Sequence, residues 1–141
     1  MIVEVSATID RPVATVFRFY AHEHVRNHPR WDPMMELEQV SEGPIGVGTV
    51  IRRRHTHFGD AVDGTMEVVE FVEDKSMGVV IHDGPSETRG RVTFASDGPD
   101  RTTITISADM PWLEEPADSS RLKAMIQVTA TNITELIESE R

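Results

Sequence analysis

The links between the strand-patterned segments from residue 35 to residue 110 are too short for a crossover, and this limits the fold more than any other feature. The segments "MELEQVSE", "TVIRRRHTHF", "TMEVVEFVED", "MGVVIHD", "TRGRVTFAS" and "TTITISADM" carry β-branched and aromatic residues in runs of strand length. Turn chemistry separates them: "GPIGVG", "GDAVDG", Lys75-Ser76, Gly84-Pro85 and "DGPD". Parallel neighbours need a connection of a dozen or more residues, so these strands pair antiparallel, as a meander. In the last segment Ile104, Ile106, Ala108 and Met110 share one face, while Thr103, Thr105, Ser107 and Asp109 share the other. That alternation describes a sheet wet on one side and covered on the other.

The two ends of the chain supply the cover. "IVEVSATI" alternates with period two and places Val3, Val5, Ala7 and Ile9 on one face, as a first strand. "DRPVATVFRFYAH" follows, with Asp10 as N-cap, Pro12 just inside, and Val13, Val16, Phe17 and Tyr20 at helical spacing. "EHVRNHPRWDP" reads as irregular or as a short helical turn, because Pro29 and Pro33 each remove a donor; Trp31 plugs a core edge. The tail "ADSSRLKAMIQVTATNITELIESER" is a long amphipathic helix capped by Asp118 or Ser119, with Leu122, Met125, Ile126, Thr129, Ile133, Leu136 and Ile137 in one stripe. No repeat, linker or low-complexity tract interrupts the 141 residues, so the expectation is one domain over 1–141.

Charge and composition narrow the partners. A net charge of -10 disfavours nucleic acid and anionic membrane surfaces. The absence of cysteine excludes disulfides, thiolate nucleophiles and thiolate metal sites. No apolar run approaches the roughly 20 residues that span a bilayer, and "MIVEVSATID" alternates where a leader would be uniformly apolar. The expectation is a soluble cytoplasmic protein without membrane insertion, monomeric or homodimeric. "GPIGVG" precedes a strand where a phosphate loop needs a following helix, and no nucleophile elbow is visible, so no cofactor is expected.

The order of elements, and the phrases "ATIDRPVATVFRFY", "HPRWDP", "GPIGVGT", "DGTMEVVEF" and "ITELIE", resemble the START-like superfamily of helix-grip proteins, in particular its polyketide cyclase/dehydrase group. The similarity spans nearly the whole chain. Its phrases are structural punctuation: Pro12 starts a helix, Trp31 fills a core edge, and Gly46 and Gly48 permit a turn or bulge. The resemblance implies an α+β fold in which a curved antiparallel sheet of about seven strands wraps a long C-terminal helix, with two short helices after the first strand. It also implies a cavity between sheet and helix that in related proteins holds lipids, polyketides, hormones or other apolar molecules. Residues placed to line it are Trp31, Met66, Met77, Met110, Trp112, Met125 and Thr129. The methionines are adaptable, polarisable fillers, and ordinary core packing is the other account of them.

The segment "IRRRHTHFGD" carries the chemistry. On a strand, Thr49, Ile51, Arg53, His55 and His57 share one face, and Val50, Arg52, Arg54, Thr56 and Phe58 the other. By resemblance to similar proteins, the first of these faces is concave. Three readings stay open. His55 and His57 could bind a metal, although no third ligand has a spacing that marks it. Arg53, His55 and His57 could form a polar patch in an apolar pocket, with His55 or His57 as general acid/base and Arg53 stabilising an enolate oxygen. Or they could sit at an exposed strand end and pair with carboxylates. His22, His24 and His28 read as a solvated loop, and His82 and Asp83 as a solvated turn. The function expected is binding of a small hydrophobic or amphipathic molecule, with cyclase or dehydratase activity as an extension. The alternative is a non-catalytic interaction or stress-response module whose groove is closed.

Overall fold

The computed structural model describes residues 2–57, 59–112 and 116–140. The chain runs from β1 (Ile2–Ile9) through α1 (Val13–Phe17), a π-helical turn (Arg18–His22) and α2 (His24–Trp31). It continues as β2 (Met35–Gln39), β3 (Val50–His55), β4 (Val62–Val72), β5 (Ser76–Asp83), β6 (Ser86–Ser96) and β7 (Thr102–Asp109), and ends in α3 (Pro116–Ser139). The seven strands form one sheet in the order β1-β7-β6-β5-β4-β3-β2, every pair antiparallel. Consecutive strands from β2 to β7 are neighbours, as the short links require; β1 closes the far edge by pairing with β7. This is the helix-grip α+β architecture.

Local departures from the sequence reading have physical causes. β4 begins at Val62, inside the stretch read as the turn "GDAVDG", so Gly64 lies within a strand. Gly48 takes φ 95°, a region open to glycine, and donates its N–H to the Val68 carbonyl beside a register shift between Val68 and Glu70. Gly46 has no such requirement, and a Cβ there would meet open space. Asp10 does not cap α1; the N-cap is Pro12 without a side-chain bond, and Asp10 pairs instead with Arg101. α3 begins at Pro116, so Asp118 lies in its first turn, where a negative charge suits the helix dipole, and is not the cap.

The core sits at one end of the grip. Phe17 of α1 is fully buried, and its ring meets Phe71 and Phe94 edge-on with centroids 5.3 and 5.1 Å apart. Ile9, Val68, Ile104 and, from α3, Ile133 and Ile137 complete the cluster. Only the C-terminal half of the α3 stripe is sealed: Ala130, Ile133 and Ile137 are buried, whereas Leu122, Ile126 and Thr129 are half-buried and Met125 is 45% exposed. The stripe is thus apolar along its length but gripped along half of it. Ile137→Ala removes sealed core volume and is expected to cost about 3 kcal/mol, whereas Val128→Ala on the outer face costs under about 0.5 kcal/mol. Urea denaturation of the two variants checks this, and equal losses would contradict the assignment.

Candidate ligand cavity and its polar end

Where α3 stands off the sheet, two neighbouring spaces open. The inner one has a volume of about 230 Å³. Its walls include Trp31, Met66, Met77 and Thr129, with Val79 and Ile106 from the sheet floor. The outer one, about 340 Å³, is bounded by Met110, Trp112 and Met125 together with Leu122 of α3. Arg53, His57, Ile81 and Thr88 border both spaces. Each sequence-derived lining residue therefore borders one space or the other. Trp112, 49% exposed, sits at the mouth, its indole N–H 3.3 Å from Thr88 Oγ1.

The period-two reading of β3 predicts which side chains reach this space. Ile51, Arg53 and His55 are buried on the concave face, and Arg52 and Arg54 are exposed on the other. The exposed-strand-end account of Arg53 and His55 is overturned: they do pair with carboxylates, but inside. Arg53 aligns with Gly64 of β4, and Gly64 aligns with Asp83 of β5. A glycine between them leaves room for Arg53 and Asp83 to meet over the middle strand, with Nε and Oδ1 3.2 Å apart. A Cβ on Gly64 would collide with Asp83 Oδ1 and the His82 carbonyl, so the glycine is a condition of the pair.

Asp83 also meets His55, Oδ2 to Nε2 at 3.2 Å. His57 is held by Asp32, which follows α2, with Nε2 3.0 and 2.8 Å from the two carboxylate oxygens. The two imidazoles stack with centroids 4.8 Å apart. Burial lowers the Arg53 pKa from its ordinary value, and the charges of Asp83 and Asp32 oppose that shift. An ion pair this enclosed loses hydration that its mutual attraction offsets, so its worth lies in geometry more than in stability. Among the described residues no three His, Asp or Glu side chains converge as metal ligands.

The sequence reading missed four polar residues here. Asp83 is not a solvated turn residue but the charge partner of Arg53 and His55. Asp32 was not singled out. His24 and His28, which read in sequence as a solvated loop, lie one turn apart on α2 and both line the inner space. His22 is exposed and pairs with Glu73, and His82 is exposed and pairs with Glu87.

The π-helical turn explains why His24 and His28 point inward. A π turn breaks the regular ladder, and side chains of α2 meet the carbonyls it presents: Asn27 Nδ2 donates to the Phe19 carbonyl at 2.8 Å, and His24 Nδ1 lies 2.9 Å from the Tyr20 carbonyl. His28 Nδ1 lies 3.0 Å from His24 Nε2. Trp31 stacks between Tyr20 and His28, with centroids 5.3 and 5.1 Å away. Burial pushes His24 down from 6.5 to about 4, the bond to the Tyr20 carbonyl opposing and the charge of Arg53 assisting. Burial likewise holds His28 well below the usual imidazole value, assisted by the charges of His24, Arg53 and His57.

A long helix gripped by a curved seven-stranded sheet, with a cavity at the ungripped end, is the arrangement of the START-like helix-grip proteins. The profile of the family described as "Polyketide cyclase / dehydrase and lipid transport" matches residues 1–138, and the chain belongs to that family. A START superfamily protein from Mycobacterium smegmatis superposes with a TM-score of 0.81 at 14% identity, over 97% of this chain and 97% of that one. The Zhui aromatase/cyclase from a Streptomyces strain gives 0.74 at 14% identity, over 98% and 93%. Ara h 8.0201 gives 0.75 at 16% identity, over 99% of both chains. At these identities the likeness is one of fold. Comparison with curated protein sequences finds no match.

The buried histidines predict a pH dependence. His24 binds a proton more weakly folded, at about 4, than unfolded, at 6.5. Between those values the unfolded chain binds more protons, so its contribution to stability is full above about 6.5 and falls as pH drops toward 4. His24→Phe removes that contribution. Urea midpoints measured from pH 7 to pH 4 should fall less steeply in the variant; an unchanged slope would contradict a buried neutral His24.

Proposed function

We propose that residues 1–141 act as one domain that binds a small hydrophobic or amphipathic molecule between the sheet and the N-terminal half of α3. The observation that carries this reading is the cavity itself, apolar along its walls and polar at the end where β3, β5 and α2 converge. Sites of this composition take apolar bodies through burial and orient them with a few placed polar groups. The open space speaks against the alternative of a closed-groove interaction module. Membership of a family described by polyketide cyclisation, dehydration and lipid transport agrees with an apolar ligand. Among the described residues no helix is long and apolar enough to cross a membrane.

A cyclase or dehydratase reaction would draw on His57, which borders both spaces and is oriented by Asp32, and on His55, which Asp83 holds at the outer space. Arg53 would then face developing negative charge on a substrate oxygen. Binding requires the cavity alone and is the reading we adopt.

Ala108 lies on β7 at the floor of the inner space. Ala108→Trp would fill it. Titration with the uncharged fluorophore N-phenyl-1-naphthylamine should show saturable binding to the native protein and binding weaker by about tenfold or more in the variant, with circular dichroism unchanged. No binding to the native protein, or equal binding to both, would overturn the proposal.

A further inference from the structure

The three groups Tyr20, His24 and His28 form a directed chain whose last residue lines the cavity. A carbonyl oxygen only accepts, so at the 2.9 Å contact with the Tyr20 carbonyl His24 must carry its proton on Nδ1. A neutral imidazole holds one proton, so His24 Nε2 is a bare acceptor. His28 Nδ1, 3.0 Å away, is then the donor in that bond. The same step leaves His28 Nε2 as a bare acceptor, and among the described residues no protein group bonds it. The backbone of the π-helical turn thereby dictates the tautomer of a side chain two hydrogen bonds away.

We propose that His28 Nε2 is the specificity-determining acceptor of the cavity and selects an uncharged apolar molecule that carries a hydroxyl donor, such as a phenol or a fused-ring alcohol. This deepens the binding proposal and rests on it. The other polar groups of the inner space favour a neutral ligand. Both arginines that border the inner space are already matched, Arg53 by Asp83 at 3.2 Å and Arg91 by Glu70 at 3.0 Å, and Asp32, which holds His57 at 2.8 Å, borders it as well, so a carboxylate entering the space would meet another carboxylate and only engaged cations. A positively charged ligand would face Arg53 itself. A hydroxyl needs neither charge, and it satisfies a nitrogen that no group among the described residues bonds. Burial keeps His28 neutral, which preserves the acceptor. His24 is a positioning residue: it acts by holding the His28 proton on Nδ1.

Three probes with one ring system separate the possibilities: 2-naphthol, its methyl ether 2-methoxynaphthalene, and 2-naphthoate, each titrated calorimetrically at pH 7.5. The native protein should bind 2-naphthol about tenfold more tightly than the ether, the usual scale for leaving a buried polar group unmatched. His28→Phe should abolish that difference, and a tenfold preference for 2-naphthol that persists in the variant would overturn the role of His28. Equal binding of naphthol and ether to the native protein would overturn the role of His28 while leaving the cavity reading intact. Tightest binding of 2-naphthoate would overturn it in favour of an Arg53 anion clamp. Failure of all three would overturn both readings. A second measurement completes the test: long-range nitrogen–proton correlation of the native protein should show His28 protonated at Nδ1 and bare at Nε2. The reverse tautomer, or a tautomer unchanged in His24→Phe, would contradict the chain.

Discussion

A straight helix cannot stay in contact with a strongly curved sheet along its whole length, and the rest of this structure follows from that mismatch. α3 has 24 residues, about 36 Å of helix at 1.5 Å per residue. The sheet closes on its C-terminal half, where Ala130, Ile133 and Ile137 are buried among aromatic residues of α1 and the sheet. Toward its N-terminus the helix lifts away, and side chains that would be core in a flatter protein become walls. Leu122, Met125 and Ile126 are apolar without being sealed, a combination that would be costly unless something apolar covers them.

The polar end of the cavity is arranged by backbone features more than by individual charges. Gly64 leaves a gap on β4 across which Arg53 and Asp83 pair, and Asp83 in turn holds His55. The π-helical turn presents carbonyls that Asn27 and His24 meet, and this sets the direction of the His24–His28 bond. Asn132 of α3 donates to the Trp31 carbonyl at 3.2 Å, tying α2 to the helix it overlies. Asn27, His24 and Asn132 are matched by hydrogen bonds, whereas Arg53 Nε and Asp83 Oδ1 face each other as an ion pair without one.

Periodicity made the fold readable, and its limits mark where reading stopped. Alternation along β3 put Arg53 and His55 on one face and Arg52 and Arg54 on the other, and the resemblance marked the first as concave, which the burial pattern matches. The same rule applied to β7 and to α3 identified the faces that meet. Asp83 escaped because it adjoins Gly84-Pro85, and turn chemistry hides the fact that it is the last inward position of β5. Gly64 escaped because "GDAVDG" looks like a turn, although it begins a long strand. His24 and His28 are four residues apart, a helical signal, but with Pro29 the segment reads equally as irregular or as a short helical turn, so no inward face can be assigned to it from sequence. Cross-strand and cross-element partners such as Asp32 with His57 have no spacing in sequence that could reveal them.

Amide hydrogen exchange with and without N-phenyl-1-naphthylamine tests most directly the claim that the ungripped half of α3 covers a ligand cavity. Without the probe, amides of residues 122–129 should exchange faster than those of residues 130–137. With it, protection should rise in 122–129 and at Ile81 and Thr88, which border both spaces, and remain unchanged around the exposed Val69. Uniform protection along α3 without the probe, or new protection around Val69 in its presence, would contradict the account.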